Sequence, residues 1–389
     1  MRRYFDWRLT YMLVLLGMLV SVAHTQTKAE RIHELMAHYH ALGRHNGTIL
    51  VAMDGEVIYE GGFGPADATW GIPNEPNVKY DIGSVTKHFT GLLVMQQVER
   101  GAIRLDVPAA TYLSSFPVSI DERITIAHLL THQSGITDFA NDLSTGEFET
   151  RYLHHRHPPD SVVADMLRRP PEFEPGVGHG YSNTGYVLLG LILEAVTGRE
   201  FCDLLLDEVL KPAGMSDSGC SRFDPIIPRR ATGYRMEGGR LIHIAYWHSS
   251  YADGEMYSTV RDLYRFDFAI RSGRLLSPEM QAVMNTPRVE VDMIGDDFGP
   301  GLKHYTGYGI ESVHRRPGFA GNDSVAVIGH GGGGGGFTSM LWRVPEDGVV
   351  IAVLNNMETP PLYPELFDIL YDRPYKLPNK DEVIPRKEL

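Results

Sequence analysis

The sequence predicts an α+β fold in which an antiparallel sheet is flanked by terminal helices and carries an inserted helical lobe. Three observations carry that expectation. β-rich runs stand near both ends of the 389-residue chain, and helical apolar spacing lies outside each of them. The middle, roughly 102 to 300, reads as helices and loops.

In chain order, MRRYFDWRLTYMLVLLGMLVSVAHTQ comes first, with arginines at 2, 3 and 8, an apolar run, and Ser21-Val22-Ala23 as a small-x-small site. That is the layout of a secretory signal peptide, assigned to 1–23. The run is shorter than the ~20 residues a spanning helix needs, so export to the periplasm or medium is expected, with no stable span after processing. From Ala29, apolar residues at 32, 35, 36 and 39 describe a helix. TILVAM and EVIYEGG then flank Asp54-Gly55, a strong hairpin signal. A second helix is expected from Ser84 to Arg100, with apolar positions 85, 89, 92 and 93 and Gly101 as its C-terminal cap. ITIAHLLTHQSGI reads as a short helix and turn, YSNTGYVLLGLILEAVTG as a helix between Asn183 and Gly198, and REFCDLLLDEVLKPAG as another. Strands return at DSVAVIGH, GFTSMLWRV and VVIAVLNN, with a turn at Pro345-Glu346-Asp347-Gly348. A last helix is placed at about 361–371, before a charged, proline-rich tail over 374–389. The sheet lobe therefore takes about 29–83 and 300–373, and the helical lobe about 84–299.

The net charge of −13 repels phosphate backbones and argues against nucleic acid as a partner. The two cysteines, Cys202 and Cys220, leave pairing open. An oxidising compartment permits a disulfide, but Cys202 as a small buried hydrophobe is preferred. His154, His155 and His157 cluster without a fixed ligand spacing, so a solvated loop is preferred to a metal site there.

Chemistry concentrates in three short motifs. Ser84 and Lys87 form the only S-x-x-K in the chain, and residues three apart share a helix face. A serine there meets a base one turn later, provided burial strips the lysine of its proton. Tyr181-Ser182-Asn183 is the only Y-x-N and sits at a loop-to-helix junction, while His330-Gly331-Gly332 opens a strand. The bland alternatives are an N-cap serine beside a surface lysine, a half-buried tyrosine, a helix-capping asparagine and a strand-end histidine. All four would have to coincide in one order. His45-Asn46-Gly47 repeats the H-x-G pattern but precedes the serine. An α/β-hydrolase is excluded, because GYSNTG lacks the second glycine of G-x-S-x-G and HGGG follows the nucleophile instead of preceding it.

With these motifs, and with ITIAHLLTHQSGI, PAGMSDS and ADGEMYSTVRDL in order, the chain resembles the serine β-lactamase and penicillin-binding-protein superfamily. It is most similar to the class C-like branch of β-lactamases, esterases and D-stereospecific peptidases. The resemblance implies a β-lactamase/transpeptidase-like fold and no cofactor. It implies Ser84 as nucleophile, Lys87 as its base and Tyr181 as the proton donor to the leaving group. Asn183, His330, Gly332 and Gly333 are implied in substrate binding, with the Ser84 and Gly333 N–H groups as oxyanion hole. His128 and His132 fall in a structural turn. Many members carry lysine where this chain has His330, and a neutral imidazole gives less to a substrate carboxylate. An ester, amide or D-amino-acid peptide is therefore expected in preference to a β-lactam. A non-catalytic relative that binds cell-wall peptides or assembles structurally is the rival reading, and the intact Ser84, Lys87, Tyr181 and Asn183 speak against it.

Overall fold

The structure, a computed structural model, describes residues 26–140, 157–221, 226–244, 251–291, 303–314, 326–359 and 363–379. The 1–23 segment, His154, His155 and the tail beyond 379 lie outside the described residues.

Eight antiparallel strands form the central sheet: β1 (Gly47–Met53), β2 (Glu56–Phe63), β3 (Val289–Val291), β4 (Lys303–Thr306), β5 (Glu311–His314), β6 (Ala326–Gly334), β7 (Phe337–Val344) and β8 (Val349–Asn355). Their spatial order is β3-β4-β5-β6-β7-β8-β1-β2, so β8 and β1 join the two ends of the chain inside the sheet, one strand in from the β2 edge. The edge strand β3 comes before residue 300, where the sequence had placed helices and loops.

Side-chain alternation divides the sheet's two faces. On β8, Val349, Ile351 and Val353 meet the terminal helices α1 (Lys28–Ala41) and α6 (Pro364–Leu370), while Val350, Ala352 and Leu354 face the helical lobe. All seven residues of β8 are buried, which is why its sequence is a continuous apolar run. Asp54 and Gly55 take φ of 54° and 84°, so the β1–β2 hairpin closes through the left-handed turn that its dipeptide favours. Helix α1 begins with a reciprocal cap between Thr27 and Glu30, and it buries Ile32, Leu35, Met36 and Tyr39 as its spacing predicted.

The helical lobe is built on α2 (Thr86–Glu99), α3 (Ile126–Leu130), α4 (Asn183–Thr197) and α5 (Val260–Arg271). One expectation needs correcting on α2. Its regular helix starts at Thr86, because Ser84 lies on a 3₁₀ turn, Gly83–Val85. Thr86 to Gln97 of α2 are all buried, Lys87, His88 and Thr90 included. Sheet, α4 and α5 enclose it, and Phe89 stacks on Phe266 of α5 with centroids 3.9 Å apart. Gly101 at φ 75° and Gly198 at φ 69° stop α2 and α4 where the sequence placed them. The α4 cap is Ser182 in place of Asn183, its Oγ accepting from the Gly185 N–H at 3.1 Å.

Cys202 and Cys220 form a disulfide, against the reading of Cys202 as an unpaired hydrophobe. The chain between them doubles back after Gly214, whose φ of 73° ends the Lys211–Ala213 turn. Cys220 then joins a short strand against Met256–Ser258, and the two Cα atoms come within 6.0 Å.

Candidate active site

The Ser84 turn is held from both sides. The Ile82 carbonyl accepts from Ser339 Oγ of β7 at 2.6 Å, and the Ile82 N–H donates to the Met256 carbonyl at 2.9 Å. Gly83 has φ 48°, and a Cβ there would sit 2.8 Å from Gly333 N, so both conformation and space require glycine. A Cβ on Gly332 would likewise lie 2.1 Å from the Ile82 carbonyl oxygen and 2.9 Å from Ser84 N. The pairing of β5 with β6 ends at Gly329, and beyond it the serine turn lies against the glycine-rich strand, backbone to backbone. The Ser84 turn and the Gly332–Gly333 backbone thus lie side by side.

Lys87 is wholly buried and makes three short contacts: Ser84 Oγ at 3.1 Å, Asn183 Oδ1 at 2.6 Å and the Asp253 carbonyl at 2.9 Å. A neutral amine has two N–H donors and one lone pair. The amide and carbonyl oxygens can only accept, so they take the two donors and leave the lone pair for the Ser84 hydroxyl. Burial is the main force lowering the Lys87 pKa to about 8, opposed by Asp253, Asp138 and Glu311.

Asn183 is itself held in one orientation. Its Nδ2 donates to Asp138 Oδ2 at 3.0 Å, turning Oδ1 toward Lys87, while the Asn183 and Thr184 N–H groups donate to Asp138 Oδ1. Burial raises the Asp138 pKa to about 6, against the pull of Lys87 and of these hydrogen bonds, so it remains a carboxylate at neutral pH. The ADGEMYS segment forms a collar on α2: the Ala252 and Asp253 carbonyls accept from Thr90 and Lys87, and the Met256 N–H donates to Thr86 Oγ1.

Tyr181 lies over Lys87, with Nζ 4.9 Å from the ring centroid, and its hydroxyl reaches the Ser84 side chain. Burial of the hydroxyl end raises the phenol pKa well above its ordinary value, the hydrogen bond with Ser84 acting against it. The outer face of the ring stays open, at 38% exposure. His132 packs under Tyr181 at 4.5 Å between centroids and accepts the Ser182 N–H on Nδ1 at 3.0 Å. Burial first, then Lys87, lower its pKa well below the ordinary value, leaving a neutral ring with its proton on Nε2. Its φ of 58° turns the chain after α3, the structural part expected of it. His128 completes the cap of α3 with Thr125.

His330 on β6 faces Tyr181 at 6.3 Å between centroids. Burial lowers its pKa, with Lys87 adding to the effect and Glu311 opposing it, so the ring is neutral at pH 7. The other H-x-G histidine, His45, is buried against Tyr363 beneath the terminal helices and has no part in this cluster.

Ser84, Lys87, Tyr181, Asn183, His330, Gly332 and Gly333 are therefore brought together. Sequence reasoning missed Asp138, the Asp253 carbonyl, Ser339 and Glu311. Asp138 and Asp253 lie beside quoted landmarks, but their partners are 45 and 166 residues away. Among the described residues no cluster of three or more histidine, cysteine or acidic side chains is placed to hold a metal ion.

A family model described as Beta-lactamase matches residues 29–369. The chain is 30% identical over 277 residues to a putative penicillin-binding protein, PbpX, of Bacillus subtilis, covering 70% of this chain and 66% of that protein, just under two thirds of its length. Among solved structures it is similar to the octameric penicillin-binding protein homologue from Pyrococcus abyssi, with TM-score 0.75, 28% identity, and coverage of 90% of this chain and 78% of that one. It is also similar to a D-stereospecific amidohydrolase from Streptomyces, with TM-score 0.67, 26% identity, and coverage of 86% and 96%.

Proposed function

The chain belongs to the beta-lactamase family and is a serine hydrolase, and from that premise we propose that it forms an acyl-enzyme on Ser84 and cleaves an ester or an amide outside the cytoplasm. The observation that carries the chemistry is the buried Lys87 amine 3.1 Å from Ser84 Oγ, with its pKa lowered to about 8. Neutral Lys87 takes the serine proton as Oγ attacks the substrate carbonyl, and the N–H groups of Ser84 and Gly333 receive the developing oxyanion. Tyr181, touching both Ser84 and Lys87, passes a proton to the leaving group and later helps water attack the acyl-enzyme. Asn183 and Asp138 keep the lysine lone pair aimed at Ser84.

An ester or D-amino-acid amide is favoured over a β-lactam because His330 is neutral where a lysine would face the substrate carboxylate. The amidohydrolase similarity supports the same choice. Export is supported by the Cys202–Cys220 disulfide, which persists in oxidising compartments, and by the charged and apolar N-terminal pattern. Hydrolysis of a nitrophenyl ester tests the reading: Ser84→Ala and Lys87→Ala each abolish turnover in folded protein. Full activity in either variant overturns it.

A further inference from the structure

Among the described residues, Glu311 is an acidic side chain at the site that the chemistry above leaves without a task. The pairing of β4 with β5 sets Glu311 directly opposite Thr306, whose Oγ1 donates to the Thr131 carbonyl beside His132, so Glu311 shares the sheet face that looks onto the helical lobe. The chain just before it is clamped to α2, since a Cβ on Gly309 would lie 2.7 Å from the Lys87 carbonyl oxygen. From this place the half-buried carboxylate bears electrostatically on Lys87, Tyr181, His179 and His330, so it looks onto both walls around Ser84. Among the described residues no hydrogen bond or ion pair holds it.

The other acidic side chains described around the site are hydrogen-bonded. Asp138 is bound to Asn183 and Thr184, and Asp253 Oδ1 accepts the Tyr251 N–H. Asp81, next to the serine turn, is paired with Arg230 and Ser221. His132 and His330 are neutral, and Lys87 is neutral when it acts as base. With Lys87 in its neutral, reacting form, Glu311 is the carboxylate at the site that, among the described residues, no hydrogen bond or ion pair holds. A half-buried carboxylate without a partner is costly, and a cation arriving with the substrate relieves that cost.

We propose that Glu311 is a specificity residue that binds a protonated primary amine carried by the substrate near the scissile carbonyl, selecting α-amino amides and esters with a free amine over N-acylated ones. This rests on the hydrolase reading above and names the substrate class within it. The same charge repels a substrate carboxylate, which gives a second reason for weak acceptance of β-lactams.

The test compares D-alanine p-nitroanilide with its N-acetyl derivative, using kcat/KM in wild type and in Glu311→Gln. Because both substrates meet the same Ser84 and Lys87, their ratio cancels any effect of the substitution on the base. The expected ratio favours the free amine in the wild type and falls about ten- to hundredfold in the variant, the range of a hydrogen bond to a charged group, mainly through KM. An unchanged ratio overturns the assignment. If neither anilide is cleaved, calorimetric binding of phenethylamine against 2-phenylethanol decides. Amine binding at least about tenfold weaker in Glu311→Gln, with alcohol binding equal in both proteins, upholds the amine site, and the nitrophenyl ester assay then judges the hydrolase reading separately. Equal amine binding in both proteins overturns the site itself.

Discussion

If Lys87 is the base, the pH dependence of acylation must follow its titration. Burial lowers the Lys87 pKa from 10.5 to about 8. At about pH 7 such a group is roughly 9% neutral, against roughly 0.03% at the unshifted value, so burial supplies about 300-fold more working base. Below its pKa the neutral fraction grows about tenfold per pH unit and then levels off. In a steady-state assay with a neutral nitrophenyl ester, kcat/KM is expected to rise about tenfold between about pH 7 and pH 9 and to plateau above, with its midpoint near 8. The same shift has a stability signature. A depressed lysine pKa means that the unfolded chain binds more protons, so stability rises with pH between the folded and unfolded values and the cost is fully present below about 8. Relative to Lys87→Met, the wild type is expected to gain about 3 kcal/mol between about pH 8 and pH 10.5 in denaturant titrations. A rate midpoint near 6.5, the histidine range, or a flat profile from pH 6.5 to 9, would refute Lys87 as base.

Three further outcomes are expected. Tyr181→Phe lowers kcat by about 10²–10⁴ with a smaller change in KM, because it removes only a hydroxyl that matters when protons move, and an unchanged kcat returns Tyr181 to a packing role. His330→Lys raises the penicillin-to-ester ratio of kcat/KM at about pH 7. Acid cannot imitate that charge in the wild type, because the lowered histidine pKa places protonation where Lys87 has ceased to be a base, and a ratio that does not move removes His330 as the selectivity element. Replacing Cys202 and Cys220 together by serine costs about 3 kcal/mol of unfolding free energy, from the loop-closure entropy of an 18-residue separation, and an unchanged denaturation midpoint would contradict a bonded pair.

Much of the fold was legible because local signals and burial agree. The stripe Ile32, Leu35, Met36 and Tyr39 had only one face to bury, Asp54-Gly55 permits few turns other than the one formed, and Gly198 stops α4. Helix α2 shows where periodicity fails. The apolar positions 85, 89, 92 and 93 give no sign that Thr86, His88, Thr90, Gln96 and Gln97 are buried too, because α2 runs between the sheet and the other helices, with Thr90 and Gln96 donating to carbonyls from distant parts of the chain.

The site divides in the same way. Residues carried by short motifs, Ser84 with Lys87 and Tyr181 with Asn183, were visible because their chemistry depends on local spacing. Asp138 and Glu311 were not, since the tertiary fold alone brings each near the site: the Asp138 turn docks on the start of α4, and Glu311 is placed by the pairing of β5 with its neighbouring strands. The disulfide was hidden for a similar reason, since pairing required the turn after Gly214 and the strand pairing of Cys220.

The central claim, a serine activated by a buried lysine and acylated by substrate, is tested most directly by intact-protein mass spectrometry after reaction with a fluorophosphonate. One adduct per wild-type chain is expected, lost in Ser84→Ala and strongly slowed in Lys87→Ala, with the label mapping to the peptide that holds Ser84. An unlabelled wild type, or a label that survives Ser84→Ala, would contradict the account.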